Sequence, residues 1–93
     1  MIRQAFILRP DDASIVDSMG WISYRLDRLD VAKEFLRRAW ALDRNPEIAA
    51  LLGEVLWVIG EHEAARAIWR EGTEVDSENP VLQETLQRME VDL

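Results

Sequence analysis

The chain has 93 residues, 48% of them apolar and 31% charged, with a formal net charge of −7 and no cysteine. That length allows one small domain or a piece of a longer array, the composition excludes a disordered chain, and no stretch approaches the roughly 20 apolar residues of a membrane-spanning helix. Lack of cysteine removes disulfides, thiolate nucleophiles and cysteine metal sites, and the acidic surplus argues against nucleic acid, whose phosphates need a basic surface.

The surplus is uneven. Residues 1–46 carry eight basic and seven acidic side chains, residues 47–93 three basic and eleven acidic. The acidic half reads in two ways: a solvated surface kept soluble by excess carboxylates, or a surface that attracts a basic partner segment.

Met1 opens a short stretch, IRQAFIL, that ends in RPDD. It reads as the second helix of a preceding repeat, so the chain is expected to be an excised segment of a longer protein. Neither the apolar run nor the small-residue cleavage site of a secretion signal is present in it. Pro10, Asp11 and Asp12 then break the chain and offer carboxylates to cap the next helix. In that helix Ile15, Val16, Met19, Ile22, Ser23 and Leu26 recur at three- and four-residue intervals, the period of one buried face. Gly20 lies inside this face, at a helix-propensity cost of about 1 kcal/mol relative to alanine. Close approach of the paired helix is the expected reason.

A turn over Leu26–Leu29 follows, with Asp27 at its bend. The next helix is expected over about Asp30–Leu42, with Val31, Ala32, Phe35, Leu36, Ala39 and Leu42 inward and Lys33, Glu34, Arg37 and Arg38 outward. Asn45-Pro46-Glu47 is a strong helix start: Asn as cap, Pro at the first helical position, and an acid at the positive end of the dipole. Asn79-Pro80 repeats it. Helices are predicted over about Pro46–Ile59 and His62–Val75, and Pro80–Val91 reads as a capping helix with Leu82, Leu86 and Met89 on its apolar side.

The helices repeat in kind. Sliding Ile15–Asp43 by 33 residues onto Ile48–Asp76 pairs Gly20 with Gly53, Tyr24 with Trp57, Ala32 with Ala65, Arg37 with Arg70 and Asp43 with Asp76. Asp27 falls on Gly60, and since Gly takes a left-handed conformation more readily than Asp, the first turn is expected to be the stiffer.

Met19-Gly20, Tyr24, Ala32, Phe35, Ala39 and Pro46 in the first copy, and Leu52-Gly53, Trp57, Gly60, Ala65, Trp69, Gly72 and Pro80 in the second, resemble the tetratricopeptide repeat pattern over almost the whole chain. The copies depart from it in three places: the leading large residue is only Val16 or Ala49, Gly72 replaces an alanine, and the first copy is one residue short. The resemblance implies an all-α solenoid of tandem helix-turn-helix units, with residues 1–12 the tail of a preceding repeat, 13–45 and 46–79 two repeats, and 80–93 a cap. The run DSMGWISYRLDRLDVAKEF followed by PEIAALLGEVLWVIGEHEAARAIW is also similar to the repeat domains of proteobacterial envelope lipoproteins. Some of these are implied to act as adaptors that present substrates to a periplasmic protease. That likeness implies a periplasmic or envelope-associated location, and without it a cytoplasmic one is expected.

In the tetratricopeptide family, A-helix positions 2, 5, 6, 9, 12 and 13 face the concave groove. By resemblance these are Ser14, Asp17, Ser18, Trp21, Tyr24 and Arg25, then Glu47, Ala50, Leu51, Glu54, Trp57 and Val58. Trp21, Tyr24 and Trp57 are the expected anchors and Arg25 a polar clamp, since aromatic rings offer large contact area with few rotors. Trp21 is out of phase with the apolar stripe, so its burial within its own repeat is harder. Trp57, between Leu56 and Val58, reads equally as core; Trp40 and Trp69, on the second helices, read as structural; and Arg25 has the alternative of pairing with a nearby acid.

Catalysis finds no support in the residues. Glu61, His62 and Glu63 fan out around a helix start without converging on a metal, and Ser14, Ser18 and Ser23 have no positioned histidine. No phosphate loop and no cofactor are implied. Two readings remain: a non-enzymatic scaffold that binds a partner protein or peptide, or a structural segment that packs on neighbouring repeats or forms a homodimer through an edge containing Ile2 and Phe6.

Overall fold

The computed structural model describes residues 13–93, with side chains described from Ser18 onward. The described residues form five helices and no strand: α1 (Ala13–Arg25), α2 (Leu29–Leu42), α3 (Pro46–Ile59), α4 (His62–Val75) and α5 (Pro80–Arg88). Helix α1 pairs with α2 and α3 with α4, so the architecture is a tandem array of helix hairpins followed by a shorter helix.

Local chemistry sets the ends of the helices. The Asn45 side chain accepts the Glu47 backbone N–H at 2.9 Å, and that of Asn79 accepts the Leu82 N–H at 3.0 Å; each is followed by proline at the start of the helix. Such a cap stabilises a helix by about 1 kcal/mol. Helices α1 and α3 end alike. The N–H groups of Asp27 and Arg28 bond back to the carbonyls of Tyr24 and Ser23, as those of Gly60 and Glu61 do to Trp57 and Leu56. This pair of bonds needs a left-handed residue, which is Asp27 at φ 62° in one copy and Gly60 at φ 106° in the other. The aspartate at the first turn is therefore held where glycine is preferred.

Helix α3 is central and touches all four others. Its sequence is apolar around most of its circumference, and Ile48, Ala49, Ala50, Leu52, Gly53, Val55 and Leu56 are all buried. The glycines expected at close helix crossings are found there. A Cβ on Gly20 would lie 2.6 Å from Leu36 Cγ, and one on Gly53 would run into the Trp69 indole. Trp69 is fully buried and donates its N–H to the Ala50 carbonyl at 3.2 Å. Trp40 is also buried and donates to Glu71 Oε1 at 3.3 Å, under the Arg44 guanidinium 5.0 Å from its ring centre. Trp69 thus packs within the α3–α4 hairpin, and Trp40 bridges the two hairpins.

Several expectations need correction. Ile22 and Leu26, assigned to the buried face of the first helix, are 49% and 64% exposed, and Val31 and Leu42, assigned inward on the second, are also exposed. Because α2 places Leu36 against Gly20, the buried face of α1 runs through Gly20 and Ser23, and Ile22 and Leu26, one turn apart, fall on its flank. On α2 the buried stripe is Ala32, Leu36, Ala39 and Trp40, which leaves Val31 and Leu42 at its margins. The last helix stops at Arg88, three residues short of Val91. Glu90 turns left-handed at φ 56°, and Val91 N–H folds back to the Leu86 carbonyl. The side chains of Ile15 and Val16, the Asp11 and Asp12 caps, and the Ile2 and Phe6 edge lie outside the described residues.

Candidate functional site

Helices α1 and α5 both pack against α3, and between them lies a cleft of about 280 Å³. Among the described residues its lining comes from these three helices: Trp21 from α1; Glu47, Ala50, Leu51 and Glu54 from α3; and Val81, Glu84, Thr85 and Arg88 from α5. The helices present equivalent positions. Pro80 stands 34 residues after Pro46, and the same step carries Glu47, Ala50, Leu51 and Glu54 onto Val81, Glu84, Thr85 and Arg88. Helix α5 thus supplies the cleft positions of a third, shortened first helix, and Trp21, Glu54 and Arg88 form a row of matching positions across the three.

Among the residues expected at the groove, Trp21 lines the cleft and is 47% exposed. Its ring is tilted against Tyr24, 6.4 Å between centres, with the Arg25 guanidinium 5.5 Å from its centroid. Arg25 is thus engaged with Trp21 and does not itself line the cleft. Tyr24 is half-buried beneath the cleft and donates its hydroxyl to Glu54 Oε2 at 2.5 Å. Glu54, Glu47, Ala50 and Leu51 all line it. Trp57 and Val58 do not. Val58 is exposed, and Trp57 stacks on His62 at 4.0 Å with an interplanar angle of 16°, 5.8 Å from Trp69. Ser14 and Asp17 fall on α1, with side chains outside the described set.

Sequence reasoning did not select Val81, Glu84, Thr85 or Arg88. The Pro46–Pro80 repeat was the signal that α5 follows the same register as α3, and treating α5 only as a cap hid it.

Electrostatically the cleft centres on Glu54. Arg88 Nη2 donates to Glu54 Oε1 at 2.6 Å, and its Nε donates to Glu84 Oε1 at 3.1 Å. Tyr24 from α1 holds the other oxygen of Glu54, so this carboxylate ties three helices together. Burial pushes the Tyr24 phenol up to about 12 from its ordinary 10, reinforced by the hydrogen bond to Glu54 and by that group's negative charge. Arg88 is held above its ordinary value chiefly by its hydrogen bond to Glu54, against the opposing effect of desolvation. Glu47, exposed at the other end of the cleft, has no ionic partner among the described residues.

A second hollow, of about 520 Å³, is lined by Val31, Glu34, Phe35, Arg37 and Arg38, all from α2. Among the described residues a single helix bounds it. Among the described residues no group of three or more His, Cys, Asp or Glu is placed to hold a metal, and no helix is long and apolar enough to cross a membrane.

No protein-family model matches the chain. Over 54 residues it is 48% identical to a TPR repeat-containing protein of Pseudomonas aeruginosa, TPR denoting the tetratricopeptide repeat; the match covers 58% of this chain and 9% of that protein. This likeness and the paired helices agree: the fold is a tetratricopeptide-type helical array.

Proposed function

We propose that the chain is a protein-interaction scaffold without catalysis that binds a segment of a partner protein in the cleft between α1, α3 and α5. Residues 13–45 and 46–79 then act as two repeats and 80–93 as the terminal unit. The observation that carries this reading is the pairing of a half-exposed tryptophan with an acidic, partly apolar cleft. Trp21 stands beside Leu51 and Val81, and exposing so large a ring is unfavourable unless a partner covers it. The cleft carboxylates and the acidic second half of the chain favour a segment that carries lysine or arginine.

Panning a displayed random-peptide library against the chain tests this. Recovered peptides are expected to be rich in basic residues and to lose roughly tenfold or more in affinity against Trp21→Ala, the loss typical of an interface anchor. Helicity and melting of that variant stay close to the parent. Binders indifferent to both Trp21→Ala and Glu47→Gln would refute the cleft as the site, and a large fall in stability would place Trp21 in the core.

A second reading has its own observation. Ile22 and Leu26, one turn apart on α1, and Val31 on α2 are exposed apolar side chains of the first described hairpin. Such side chains suit stacking on a neighbouring repeat or on a second copy, and a solution mass that rises with concentration would support it.

A further inference from the structure

The charges of the described residues lining the cleft are unbalanced, three carboxylates against one guanidinium. That guanidinium belongs to the chain itself. Arg88 sits in the last turn of α5 and reaches Glu54, 34 residues earlier on α3. The two partners differ in depth: the Glu54 side chain is 13% exposed and that of Arg88 is 48%. The carboxylate is thus the deeper, largely buried member, oriented by the Tyr24 hydroxyl, and the arginine enters from the rim.

We infer that Glu54 is a recognition site for an arginine or lysine side chain of a basic partner segment, and that Arg88 is its intramolecular occupant in the free chain. The inference rests on the cleft being the partner site. A carboxylate this buried is costly to leave unpaired, so the free chain keeps it satisfied with its own cation. An incoming guanidinium replaces Arg88 charge for charge. The displaced Arg88 loses little, because Glu84, 62% exposed at the rim, remains as its partner in water. Trp21, Leu51 and Val81 receive the apolar residues that flank the incoming cation, and the unpaired Glu47 receives a second one. Arg88 therefore acts as a built-in competitor: a neutral segment cannot replace it, and an acidic one adds repulsion.

The test measures fluorescence anisotropy of a labelled peptide of alternating leucine and arginine, and of its leucine–glutamate counterpart, with the full chain and its variants. The arginine peptide is expected to bind and the glutamate peptide not. Arg88→Gln should bind the arginine peptide roughly three- to fivefold more tightly, the factor a half-exposed ion pair supplies. Arg70→Gln makes the same charge change on the exposed side of α4, outside the cleft, and should leave affinity unchanged. Glu54→Gln should weaken binding and abolish the gain from Arg88→Gln in the double variant. Arg88→Lys, which keeps the charge but not the forked geometry, should fall between the parent and Arg88→Gln. A gain from Arg88→Gln no larger than that from Arg70→Gln, or one that persists without Glu54, overturns the inference. If the peptide still depends on Trp21 in that case, the cleft reading stands alone; if no variant binds the arginine peptide, both fall.

Discussion

Replacing Gly53 with alanine drives a methyl group into the indole of Trp69. The new Cβ lies 2.6 Å from Trp69 Cδ1 and overlaps Nε1 and Cε2 more severely, whereas carbon atoms in contact sit about 3.5–4 Å apart. The ring has to retreat by about 1 Å or more. It has nowhere easy to go, because Trp69 is fully buried, lies against Trp57, and is tethered through its N–H to Ala50 on the same helix as Gly53. Overpacking of this kind costs about 1–3 kcal/mol, and a buried N–H stripped of its acceptor costs a similar amount. Alanine's better helix propensity returns about 1 kcal/mol. A net destabilisation of about 2–3 kcal/mol is expected, which lowers Tm by roughly 10–20 °C in a domain of this size. Circular dichroism melts and urea unfolding of the two proteins measure it. In a Trp69→Phe background, where the indole nitrogen is gone, the same substitution should cost less, a positive coupling between two residues in contact. An alanine variant that melts at or above the parent would refute the claim that close approach at Gly53 sets the spacing of α3 and α4. The consequence reaches the cleft, because Glu54 is the next residue on the displaced helix.

Two further outcomes follow from the turns and from Glu54. Asp27→Gly relieves the left-handed strain at φ 62° and should stabilise the chain by about 0.5 kcal/mol after the entropy that glycine adds to the unfolded state; urea midpoints at unchanged slope measure this, and a loss of stability would show that the aspartate side chain holds the turn. Tyr24 is the chain's one tyrosine, so its phenolate absorbance can be followed by pH titration without ambiguity. Its pKa is raised in the fold, so its contribution to stability is complete below pH 10 and is lost as pH rises through about 12. Glu54→Gln should move the absorbance midpoint down toward the ordinary value, and a midpoint already near 10 in the parent would mean that the phenol is free.

Features that depend on neighbouring residues were legible from the sequence, because they need only a few backbone groups in reach. The Asn-Pro starts at Asn45 and Asn79, the contrast between Asp27 and Gly60, and the hairpin rhythm of about 33 residues all belong to this class. Gly20 and Gly53 were legible too, since a glycine recurring inside a helical face needs a packing partner. What only the tertiary structure decided is where separate helices meet. Periodicity marks an apolar face without saying what covers it, so Ile22 and Leu26 read as core but fall on the exposed flank of α1. Trp57 occupies the position equivalent to Tyr24, yet it stacks on His62 while Tyr24 reaches Glu54, because their different neighbours offer one a ring and the other a carboxylate. The cleft itself belongs to the same class: Trp21, Glu54 and Arg88 are dispersed along the chain and become one site only when α1 and α5 pack on either side of α3.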